Sequence, residues 1–150
     1  MPQSFVSSHF HIVFSTKNRK PFITDDLQTR LNEYIGGIVR ADEGRLLAAG
    51  GMPDHIHLLI SLSKTIALAD SVRTIKSNSS KWIHETFPTQ DDFAWQAGYG
   101  AFAVSFSNLE KVKRYIANQA EHHRKRTFRE EFVALLQRHE IEFDEQYLWD

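Results

Sequence analysis

The run His55-Ile56-His57-Leu58-Leu59-Ile60 constrains this chain more than any other. In a β-strand successive side chains point to opposite faces, so His55 and His57 share one face while Ile56, Leu58 and Ile60 share the other. Three branched apolar side chains have to be covered, and two imidazoles have to find hydrogen-bond partners, water or a metal ion. The strand is therefore expected in a sheet with helices on its apolar side and the two histidines on the side left open. Gly50-Gly51-Met52-Pro53-Asp54, just before it, reads as a turn.

The rest of the chain supplies the neighbours such a strand needs. Phe10, Ile12 and Phe14 alternate with His9, His11 and Val13, which marks residues 9–15 as a first strand. A polar basic loop, Thr16-Lys17-Asn18-Arg19-Lys20-Pro21, follows. Thr24-Asp25-Asp26 is expected to cap a helix to about Arg40, with Leu27, Leu31, Tyr34, Ile35 and Ile38 at helical spacing. A second strand is expected from Arg45 to Ala49 and the third from His55 to Leu62. Thr65 is placed to cap a second helix reaching about Phe87, and Tyr99 to Phe106 reads as a fourth strand. Ser107-Asn108-Leu109-Glu110 has the form of a capping box and opens a third helix to about Arg124. A shorter helix, Arg129 to Arg138, and an acidic aromatic tail close the chain. The order β-α-β-β-α-β predicts an α+β fold of the ferredoxin-like, split βαβ kind: an antiparallel sheet with helices on one face, plus C-terminal helices carrying Tyr115.

The 150 residues suit one domain, with 130–150 as an acidic C-terminal tail. The chain has no cysteine, which excludes disulfides, thiolate-held zinc and a thiol nucleophile. With no signal-peptide pattern and no apolar run near the roughly 20 residues that span a bilayer, a cytoplasmic protein without a membrane partner is expected. The net charge of −1 hides an asymmetry, because residues 130–150 hold seven acids and one base. Residues 1–129 are left with 17 bases against 12 acids. The bases cluster at Lys17, Arg19 and Lys20, at Arg73, Lys76 and Lys81, at Lys111, Lys113 and Arg114, and at Arg124, Lys125 and Arg126. Each cluster is either a solvated face or a local phosphate-neutralising patch.

Tyr115 and Gln119 stand four residues apart, so a continuous helix stacks them on one face. Gln119 can offer an amide oxygen to a hard cation, and Tyr115 would be a phenol beside it. Spacing alone equally allows an ordinary amphipathic helix with Tyr115 packed beside Val112 and Ile116. His9 and His11 read as structural or DNA-adjacent, His122 and His123 as surface residues, and Asp54 as a turn residue or an orienter of one imidazole.

Four segments together resemble one family. Gly51-Met52-Pro53-Asp54-His55-Ile56-His57-Leu58-Leu59 is similar to the His-hydrophobic-His motif of the HUH single-tyrosine transposases, the insertion-sequence 200/605 group and the repeat-associated tyrosine transposases. His11 to Arg19 resembles that family's first strand and following loop, and Trp95-Gln96-Ala97-Gly98-Tyr99-Gly100 the entry to its last strand. Tyr115-Ile116-Ala117-Asn118-Gln119 resembles its nucleophile helix. The resemblance implies a transposase that cleaves and rejoins single-stranded DNA, with hairpins at the element ends and a transient 5′-phosphotyrosine. It implies Tyr115 as nucleophile, and His55, His57 and Gln119 as ligands of a divalent metal, Mg2+ or Mn2+. It also implies a homodimer in which the tyrosine helix of one subunit can serve its partner.

Phosphoryl transfer needs positioning and charge neutralisation above all. Lys17, Arg19, Lys20, Arg73, Lys76, Lys111, Lys113 and Arg114 are therefore the candidate DNA contacts, which would position a strand without specifying its sequence. Two other readings stay open: a non-catalytic or domesticated DNA-binding regulator on the same fold, and a small metal-binding or ligand-sensing domain.

Overall fold

The computed structural model describes residues 3–150. Strands β1 (His9–Ser15), β2 (Arg45–Met52), β3 (His55–Ser61) and β4 (Gly100–Ala103) form one antiparallel sheet in the order β2-β3-β1-β4. Two long helices, α1 (Asp25–Ala41) and α2 (Leu68–Thr86), follow β1 and β3 respectively. Three shorter ones, α3 (Leu109–Ala117), α4 (Gln119–His122) and α5 (Phe128–Arg138), follow β4. This is the expected ferredoxin-like α+β arrangement.

The division of faces predicted for β3 sets the layers. Ile56, Leu58 and Ile60 join Ile12 and Phe14 of β1 in a core closed by Leu27, Leu31 and Ile35 of α1 and by Val72, Ile75 and Ile83 of α2. Thr24 caps α1 through its hydroxyl, which accepts from the Leu27 amide at 3.3 Å, and Asp25 and Asp26 in the first turn suit the positive helix end.

The opposite face is not open. Leu59 packs there against Leu109 and Ile116 of α3, while Val13 and Phe102 pack against Phe128, Phe132, Leu135 and Leu136 of α5. The histidine face of β3 is thus roofed by the C-terminal helices, and His55 and His57 are both fully buried. The acidic segment expected from residue 130 begins inside a packed helix, because the i, i+3, i+4 pattern of Phe128, Glu131, Phe132, Leu135 and Leu136 gives α5 a buried side. Beyond it the segment folds back on its own chain. The Asp150 carbonyl accepts from the Gly98 amide at 2.7 Å, and Trp149 packs on Phe128 and Phe132.

Several boundaries differ from the sequence pattern. Gly50 to Met52 belong to β2, because they pair with His57 to His55, and the turn shrinks to Pro53-Asp54. Strand β4 is shorter than expected, pairing only with Phe10 to Val13. Ser107 does not cap α3, and Thr65 does not cap α2; their N-caps are Asn108 and Ala67, neither with a side-chain bond. The reciprocal box lies at α5 instead, between Thr127 and Glu130. The third helix breaks at Asn118, so Tyr115 lies in the last turn of one helix and Gln119 begins the next.

Helix α3 sits directly on β2 at a glycine. A Cβ on Gly50 would lie 2.7 Å from the carbonyl oxygen of Ile116, whereas one on Gly37, in the middle of α1, meets nothing within 4 Å. Gly50→Ala is expected to lower stability by about 1–3 kcal/mol through overpacking. Gly37→Ala should raise it by roughly 0.5–1 kcal/mol, by removing unfolded-state freedom within a helix. Urea unfolding of both variants checks the pair, and equal, small effects would mean that α3 does not rest on β2 as described.

Candidate active site

The site is built from β3 outward. His55 Nδ1 lies 2.8 Å from Asp54 Oδ1 and donates to it, which leaves the Nε2 lone pair aimed inward. His57 uses its Nδ1 on His11 Nε2, also at 2.8 Å. That contact follows from register, since Val13 is the partner of His57 and His11 is its diagonal neighbour. Both Nε2 atoms then face Glu131 of α5, whose Oε1 lies 3.1 Å from His57 and 3.6 Å from His55.

Two residues after the Asn118 break complete the ring. Gln119 Oε1 is 3.3 Å from His55 Nε2 and 3.2 Å from His123 Nε2. His123 donates through Nδ1 to the Arg126 carbonyl at 3.1 Å, so its Nε2 also presents a lone pair, 3.3 Å from Glu131 Oε1. Imidazole lone pairs, an amide oxygen and a carboxylate oxygen therefore converge in one buried space. Electron-pair donors held this close repel unless a cation or a proton lies among them. One donor atom from each of His55, His57 and Glu131 falls within a span of 4.8 Å, and Gln119 and His123 supply two more at the same place. The residues present fit a divalent metal.

Tyr115 reaches the same carboxylate from α3. Its hydroxyl donates to Glu131 Oε2, and Arg126 Nη2 approaches the phenol oxygen at 3.4 Å. The His122 ring stacks on the phenol with centroids 4.4 Å apart. Burial, with the adjacent Glu131 carboxylate, raises the phenol above its ordinary range, and Arg126 opposes the shift. Burial also works to raise Glu131, yet the hydrogen bond from His57 and that from Tyr115 outweigh it and hold the carboxyl well below the usual range. His57 and His123 are lowered, each by burial first. His11 is pushed down to about 3 by burial and then by the neighbouring His57.

The structure thus brings together His55, His57, Gln119 and Tyr115 within a single chain, and adds Glu131, His123, His11 and Arg126, which the sequence reading missed. Glu131 carried a signal: a carboxylate on the apolar side of a helix, flanked by Phe128 and Phe132, needs a partner. His11 is buried, in keeping with a structural role, whereas His123 is not a free surface residue and sits beside the site, following the helix break at Asn118.

The basic candidates divide. Lys17, Arg19 and Lys20 are exposed after β1, and Asn18 and Arg19 both adopt the left-handed backbone region, at φ of 59° and 55°. Arg19 lies 4.8 Å over the Trp149 ring and borders an opening shared with Asp54 and His123. Lys111 and Arg114 are exposed on the tyrosine helix, where Lys113 is tied to Glu110 at 3.2 Å. Arg73 and Lys76 lie on α2, across the sheet from the imidazoles. Arg73 pairs with Asp70, while Lys76 binds the carbonyls of Ala97 and Gly98 at 3.0 and 2.8 Å and so clips α2 to the entry of β4.

A neutral buried histidine makes stability fall on acidification. His11 has a folded value of about 3 against 6.5 unfolded, so the unfolded chain binds the extra proton first as pH falls through 6.5. The metal-free protein, held with chelator, should therefore unfold at lower urea at pH 5 than at pH 7.5. His11→Gln should shrink that difference, and an unchanged difference would show that His11 does not carry it.

Comparison with known proteins agrees with this architecture. The model of the IS200-like transposase family matches residues 4–119. The ISDra2 transposase TnpA of Deinococcus radiodurans is 23% identical over 115 residues, covering 73% of this chain and 82% of that protein. The transposase of insertion sequence element IS200 from Salmonella typhimurium is 25% identical over 117 residues, 75% of this chain and 76% of its own. A solved structure described as a transposase from Deinococcus radiodurans shares the fold at a TM-score of 0.65 and 24% identity, over 79% of this chain and 96% of that one. The REP-associated tyrosine transposase, bound to a REP hairpin, does so at 0.61 and 15% identity, over 82% and 73%. The matched span holds all four strands, the histidine pair, Tyr115 and Gln119. This chain belongs to the IS200-like transposases.

Proposed function

We propose that this transposase cuts and rejoins single-stranded DNA at hairpin-bearing ends through a covalent link to Tyr115. The observation that carries the reading is the Tyr115 hydroxyl donating to Glu131, the same carboxylate that faces the two Nε2 atoms of the His-x-His pair. In the first step Tyr115 Oη attacks phosphorus, the P–Oη bond forms and the P–O3′ bond breaks. The phenol proton passes to Glu131 Oε2, and the 3′-oxygen leaves as a hydroxyl with a proton from solvent. Rejoining reverses the step: a 3′-hydroxyl attacks the phosphotyrosine, and the tyrosine oxygen departs and regains its proton. Arg126 stabilises the charge that develops on that oxygen in both directions.

His55, His57, Glu131, Gln119 and His123 would hold the metal, which would supply charge neutralisation at the phosphoryl oxygens. A set with three imidazoles suits Mn2+ better than Mg2+, which prefers oxygen ligands. The hairpin bound to the REP-associated relative supports hairpin DNA as substrate. Lys17, Arg19, Lys20, Lys111 and Arg114 are the exposed cations for its backbone. A homodimer belongs to this reading, but each chain has its own tyrosine beside its own histidine pair, so exchange of helices is not required.

Two measurements test it. Wild type incubated with Mn2+ and hairpin oligonucleotides from the flanks of its gene should form a denaturant-resistant adduct. Tyr115→Phe should lower that yield by more than about 10³-fold while leaving hairpin affinity nearly unchanged. An adduct of undiminished yield removes Tyr115 from the role, and tight binding with no adduct from wild type favours a DNA-binding protein that does not cleave. Glu131→Gln should weaken Mn2+ binding at least about tenfold by calorimetry, and unchanged affinity would take Glu131 out of the metal centre.

A further inference from the structure

A second cavity, of about 240 Å³, is lined by Tyr115 and is separate from the opening that holds Asp54 and His123. His11 and Tyr115 line it, the rings of Phe102 and His139 form part of its wall, and Lys111 of α3 and Arg138 of α5 border it as well. No carboxylate lines it. The surface ion pairs of the described residues occupy Arg73, Lys81, Lys113, Arg124 and Arg129, and leave Lys111 and Arg138 unpaired. Phe102 and His139 lie with centroids 4.6 Å apart and planes inclined by 31°, and the His139 ring is held by a bond from Nδ1 to the Leu135 carbonyl at 2.8 Å. The space is smaller than the roughly 300–1,000 Å³ of pockets for drug-sized ligands, and suits one planar ring system.

We propose that this pocket seats the base of a nucleotide flanking the phosphate that Tyr115 attacks, with Lys111 and Arg138 on the adjoining phosphates. The placement rests on the strand-transfer reading for the position of the scissile phosphate. Because Tyr115 itself lines the cavity, a phosphate held at its hydroxyl leaves a neighbouring nucleotide within reach of it, and aromatic walls with a cationic border are what a base and its phosphates require. The pocket then fixes which phosphate comes to the tyrosine, so it selects the cleavage position by seating a flanking base.

The test uses the full chain and a hairpin oligonucleotide from the gene's flank, with 2-aminopurine at one single-stranded position at a time. Stacking in the pocket should quench fluorescence at least twofold at one or two adjacent positions, next to the phosphate at which the adduct forms. His139→Ala should relieve that quench. Lys111→Gln with Arg138→Gln should weaken binding about tenfold and flatten its salt dependence, while Arg40→Gln, exposed on α1 across the sheet, should change neither. All four side chains are exposed, so these variants should fold. An adduct that forms with no position quenched, or a quench indifferent to His139→Ala, overturns the pocket assignment. A quench sensitive to His139→Ala with no adduct overturns the strand-transfer chemistry and leaves the pocket standing as a base site.

Discussion

A carboxylate shut away from water organises this molecule. Glu131 is fully buried, and an unpaired charge there would cost several kcal/mol. It is met from three directions: by His57 and His55 of β3, by Tyr115 at the end of α3, and by Gln119 and His123 around α4. The same contacts that satisfy the charge dock the C-terminal helices on the sheet. The polar contacts of the site thus add to the apolar packing of Leu59 on α3 and of Val13 and Phe102 on α5 in holding the second layer.

The two oxygens of the Glu131 side chain face different partners. Glu131 Oε1 faces the imidazoles, while Oε2 accepts from the tyrosine hydroxyl. Outside it, Asp54 and His11 take the second nitrogens of His55 and His57, so both rings are fixed in orientation before any ligand arrives. Arg126 and His122 complete the surroundings of the phenol, and both come from the short stretch that follows the break at Asn118.

Much of this was legible in order and pattern. The alternation in β1 and β3 gave the two faces of the sheet, and the helical spacing of α1 gave the first layer. His55 and His57 were readable as a pair because they share a strand face, whereas Tyr115 and Gln119 were joined to them by the family resemblance, since spacing alone equally allowed an ordinary amphipathic helix. Glu131 was overlooked because it was counted with the acids of the tail, although its position between Phe128 and Phe132 marks a buried helix side. Pattern was also silent on Lys76, which stands in a basic stripe and whose ammonium is held by two carbonyls at the entry to β4.

What the sequence determined by itself is whatever depends on neighbours along the chain: strand alternation, the Thr24 cap, the order of elements and the family to which they belong. Tertiary structure alone decided that the histidine face is roofed and that His11 lies diagonal to His57. It also decided that a carboxylate 74 residues beyond His57 closes the site. The reason is physical. Local periodicity says which side of an element is apolar, but the partner of a buried charge is chosen by the path of the chain in space. That path turns here on a helix break at Asn118 and a capping box at Thr127.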